Sequence, residues 1–126
     1  AAIAHMEAGI ALRRPIQEPH EFVDDLSDLI LAYVSAGRSG DAFATASELE
    51  PLSRNNFAGA MWPHYAWWAM AQGYAAAGKS DEARRAAQRG REELERFAAS
   101  IEDDDRRRSF LLLPMNRAVA EAATPH

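Results

Sequence analysis

The 126-residue sequence contains no cysteine, which excludes a disulfide framework, a thiolate zinc site and a cysteine nucleophile, and suits a reducing cytoplasm. Lysine is nearly as scarce, with Lys79 the only one. No glycine-rich loop precedes a lysine with serine or threonine, and no serine lies in a nucleophile elbow, so phosphate-handling and acyl-transfer chemistry lack their usual parts. Long apolar runs are also missing. The run at 110–114 falls far short of the roughly 20 residues that cross a bilayer, and the N-terminus has no basic region followed by an apolar stretch. A formal charge of −5, with arginines interleaved among acids, argues against a nucleic-acid surface, which needs clustered cations. These absences leave a binding partner that is neither nucleic acid nor membrane.

What is present is helical pattern. Hydrophobic residues make up 48% of the chain and charged ones 26%, enough apolar material for one folded domain. Apolar positions recur at spacings of three and four, and strict alternation is absent, which predicts an all-α fold. Phe22, Leu26, Leu29, Ile30 and Tyr33 form one stripe ending at Gly37. Ala42, Phe43, Ala46 and Leu49 form another, ending at Pro51. A further helix is expected to start near Pro63 and to stop before Gly78. Ser80 then reads as the N-cap of a long helix over 80–101. Its outer side pairs charges four apart, Asp81 with Arg85, Arg89 with Glu93, Arg91 with Glu95 and Glu92 with Arg96, as a solvated face does.

An internal repeat organises these helices. Tyr33, Gly37, Ala42 and Ala46 recur as Tyr74, Gly78, Ala83 and Ala87, each displaced by 41 positions. The alanines would let paired helices approach closely, and Gly37 and Gly78 would make the turns. Ile3, Met6 and Ile10, with Gly9, read as a lone second helix over 1–14. That stripe predicts a fragment of a longer protein, or packing against the following pair. The first pair then covers 20–51 and the second 60–101. At 102–126, three aspartates, three arginines and an apolar run predict capping helices.

The second unit, with Trp67, Met70, Ala71, Tyr74, Gly78, Ala83, Ala87 and Gly90, resembles the tetratricopeptide repeat, and the first unit resembles it less fully. The longer period is similar to repeats in large bacterial signalling ATPases and transcriptional regulators. The resemblance implies a right-handed superhelical stack of antiparallel helix pairs, with Trp67 buried between paired helices. It also implies a concave groove lined by Asp24, Ser27, Leu31 and Val34 of the first unit and by Tyr65, Trp68, Gln72 and Ala75 of the second.

The four histidines are scattered, without the spacing of a metal site, and no acid/base pair stands out. No cofactor is implied. All three tryptophans fall within seven residues, as Trp62, Trp67 and Trp68. An aromatic face of this kind can take peptide side chains, a proline-containing segment or a sugar ring, because aromatics give rigid contact at small entropic cost. The expectation is therefore a scaffold that binds a peptide, a protein or another domain of its own parent. Self-association through the exposed edge of the first helix is a further expectation. A small-molecule effector sensor is the alternative, in which packing would answer to ligand.

Overall fold

The computed structural model describes residues 2–58 and 60–122, and these contain seven α-helices and one 3₁₀ turn without a strand. The order is α1 (Ala2–Arg13), a 3₁₀ turn (Pro19–Phe22), α2 (Val23–Ser35), α3 (Ser39–Ser53), α4 (Pro63–Ala76), α5 (Ser80–Ala99), α6 (Asp104–Leu112) and α7 (Pro114–Ala122). None of the described helices is long and apolar enough to cross a membrane.

The sequence repeat is also a repeat of backbone geometry. Gly37 and Gly78 adopt φ of 74° and 77°, a left-handed conformation that glycine enters without the Cβ penalty. The following residues, Arg38 and Lys79, each donate their N–H over 2.9 Å to the carbonyl of Tyr33 and Tyr74 respectively. The two tyrosines repeat a side-chain contact as well. Tyr33 donates to Glu7 of α1 at 2.5 Å, and Tyr74 to Glu50 of α3 at 3.4 Å. Each therefore reaches back to the helix that precedes its own pair. α1 packs on α2, which joins the first helix to the following pair.

α4 is the hub, since it packs against α2, α3, α5 and α7. Ala42 and Ala46 are fully buried, and Ala46 serves the contact between pairs as well as the contact within one. Its Cβ would lie 2.9 Å from a Cβ added at Gly73 of α4. Within the second pair, Gly90 lets α5 lie against the α4 backbone at His64 and Trp68, beside the Trp67 Cβ.

Several element boundaries differ from expectation. Pro51 does not end α3, which runs on to Ser53; so near the end of a helix the missing N–H removes a single bond and leaves the rest intact. Ser80 is the first residue of α5 and makes no capping hydrogen bond, the N-cap position falling to Lys79. Arg89–Glu93 and Arg91–Glu95 form, but Asp81 pairs with Arg84 and Arg96 with Glu93, each three positions away. Glu93 is only 7% exposed, so this part of α5 is buried rather than solvated.

The extra residues that lengthen the repeat supply core. Asn56 and Phe57 take left-handed φ of 57° and 53°, costly for a bulky side chain. That turn sends Phe57 fully into the interior, edge-on to Trp67 at 5.1 Å between ring centroids. Asn56 accepts the Trp67 indole N–H at 2.7 Å, which satisfies the polar atom of a buried ring.

At the C-terminal end, Asp103 caps α6 by accepting from the Arg106 N–H. Arg107 donates back to the carbonyls of Ala98, in the last turn of α5, and Ile101, just beyond its end. α7 lies over α5 and α4 and buries Asn116 and Val119.

Candidate binding site

The face formed by α2 and α4 brings together an acidic helix and an aromatic one. α2 starts with Asp24 and Asp25, acids that suit the positive end of a helix, and places Asp28 one turn after Asp24. α4 carries Tyr65 and Trp68 three positions apart, hence on one side. Their rings lie 6.0 Å apart at 36°, and both are half-buried. The Tyr65 hydroxyl donates to the Asp28 carboxylate at 2.6 Å and so ties the helices across the face. Burial, and then the Asp28 carboxylate, raise the pKa of Tyr65 above the usual phenol range, so the hydroxyl stays a donor. The Asp24 carboxyl is also raised, first by burial. The Met61 backbone opposes this by hydrogen bonding, and the neighbouring charges of Asp28 and Asp25 add to it.

The other expected groove residues divide. Gln72 and Leu31 are half-buried, and Ala75 is exposed on α4. Val34 packs against the core edge. Ser27 is fully buried and donates its hydroxyl to the Val23 carbonyl at 2.7 Å, so it offers no surface to a ligand. Asp28 is the residue the expected set omits, although its spacing of four from Asp24 puts it on the same stripe.

A cleft of about 440 Å³ between α1 and α2 adjoins this face. Met6, Ile10 and Leu12 supply apolar lining, and Arg13, Asp25 and Asp28 supply charge. Arg13 pairs with Asp25 at 2.9 Å. Because Asp28 both lines the cleft and holds Tyr65, cleft and aromatic pair are continuous.

The rest of the aromatic segment turns away from this face. Trp62 and His64 pack with Phe97 of α5 and Phe110 of α6, the four ring centroids lying 4.9–6.1 Å apart. His64 is 1% exposed, and its Nε2 lies 3.0 Å from the Asn116 Oδ1. Asn116 spends its amide on the Phe110 carbonyl at 2.8 Å, which leaves Oδ1 to accept, so Nε2 carries the proton and donates. Burial lowers the histidine pKa, while Asn116 and then Glu93 oppose that shift. This polar group is satisfied inside the protein and joins three helices. Among the described residues no cluster of three or more His, Cys, Asp or Glu side chains could hold a metal ion.

Compared with known proteins, the chain matches no family model, no curated protein and no solved structure.

Proposed function

We propose that this chain is a cytoplasmic protein-interaction module of the tetratricopeptide type, a right-handed stack of helix pairs that binds a peptide segment or domain along the face of α2 and α4. The observation that carries this reading is the half-buried Tyr65–Trp68 pair, tied to Asp28 and continuous with the cleft beside α1. Large rigid rings left partly uncovered are the groups that dominate recognition surfaces. The repeated turn geometry at Gly37 and Gly78 supports a repeat architecture, since the same turn within each pair gives two similar helix pairs, the unit that such a stack is built from.

A displayed library of random short peptides tests the reading. The wild-type chain should enrich binders that the Tyr65→Ala and Trp68→Ala proteins fail to capture, with far-UV circular dichroism unchanged. Binders captured equally by both variants would place recognition elsewhere on the molecule.

A further inference from the structure

The α2 and α4 helices contain no lysine or arginine. Several exposed acids elsewhere are neutralised at short range. Asp41 pairs with Arg38, Glu92 with Arg89, Glu95 with Arg91 and Asp104 with Arg107, each three or four positions away. On α2 the positions that would carry such partners hold Ser27, Leu31 and Ala32. Asp25 finds Arg13 of α1. Among the described residues Asp24 and Asp28 form no ion pair, and the groups that engage them are uncharged donors, the Met61 backbone and the Tyr65 hydroxyl.

We propose that this face takes a peptide segment carrying an arginine or lysine beside an apolar residue, the cation lying between the Asp24 and Asp28 carboxylates and the Trp68 ring. The inference rests on the groove reading above and specifies the charge of its partner. Three features converge on it. Two carboxylates four positions apart repel each other, and a cation between them relieves that repulsion. A partly uncovered indole is the best ring on which to stack a guanidinium or ammonium group, and Trp68 flanks Tyr65 at the same place. The adjoining cleft offers an apolar seat, with Leu12 79% exposed at its edge and Asp28 marking the boundary between cleft and rings. An acidic partner would meet two uncompensated carboxylates here without a single cation on either helix.

Three capped peptides, alternating leucine with arginine, glutamine or glutamate, test the proposal by fluorescence anisotropy against the full chain. The arginine peptide should bind about tenfold or more tightly than the glutamine one, since each charge contributes roughly three- to tenfold. The glutamate peptide should not bind. Added salt should narrow the difference. Asp24→Asn and Asp28→Asn keep an oxygen to accept from Met61 and Tyr65, so the double variant folds while the two peptides become equivalent. Failure of the arginine peptide to bind, or a preference that survives in the double Asn variant, overturns the proposal. If all three peptides bind alike and Trp68→Ala weakens all of them, the groove stands and the charge assignment falls. If Trp68→Ala changes none of them, the groove falls as well.

Discussion

At Gly73 the α4 backbone comes so close to α3 that a methyl group would lie 2.9 Å from both the Ala42 carbonyl oxygen and the Ala46 Cβ, and 3.2 Å from Ile30. Two of these neighbours are fixed by backbone, so relief requires the helices to separate. Gly73→Ala should therefore destabilise the fold, the overpacking cost of about 1–3 kcal/mol outweighing the roughly 1 kcal/mol gained in helix propensity. Gly9 provides the contrast. A Cβ there meets only the tip of the Arg13 side chain at 3.9 Å, so Gly9→Ala should stabilise by about 0.5–1 kcal/mol. Urea denaturation midpoints that moved in the same direction for both would contradict this account. The small residues at 42 and 46 were legible because they recur after 41 positions. Gly73 was not, because its counterpart in the first unit is Ala32, which breaks the match.

Among the elements, the C-terminal pair shows where sequence reading stops. The helix start at Pro63 and the turns at Gly37 and Gly78 follow from local rules, and the structure places them accordingly. The role of α7 is not local. His64 and Asn116 are 52 positions apart, and nothing in the spacing of either residue announces the other. The same holds for Tyr65 and Asp28, 37 positions apart, whose bond exists only because α2 and α4 lie side by side. Phe57 has no such local signal, because a lone aromatic in a connection carries no period. Asn116→Ala should cost about 1–3 kcal/mol, since it strands the buried His64 N–H and removes one of the two donors to the Phe110 carbonyl, leaving the Leu113 N–H. Because Asn116 joins α7 to α4 and α6, amide exchange should accelerate in α7 before it does in α2. Uniform acceleration along the chain would mean that the C-terminal helices are not a separable unit.

At the scale of the whole molecule, His64 links global stability to pH. Its pKa in the fold lies below the ordinary 6.5, with burial the main cause. Between that folded value and 6.5 the unfolded chain binds the extra proton and the native state does not, so stability rises with pH across the window. The contribution is complete above about 6.5 and is lost as pH falls toward the folded pKa. Glu93 of α5 and the Asn116 oxygen partly shield the ring from this loss, and the surrounding Trp62, Phe97 and Phe110 offer no acceptor strong enough to reverse it. Asp24 acts with the opposite sign, since its carboxyl is raised from 3.8. A raised carboxyl favours the fold while protonated and loses that contribution as pH climbs through the folded value. The two groups are therefore separable by the sign of their pH slopes. Urea midpoints of the wild type should fall between about pH 7.5 and pH 5.5, and His64→Gln, which keeps a donor for Asn116 and removes the titration, should be less stable throughout but flatter over that range. Taking the difference of the two slopes cancels the histidines common to both proteins. Equal slopes would remove His64 as the source of the acid sensitivity, and with it the view that the C-terminal lid is held by a neutral imidazole.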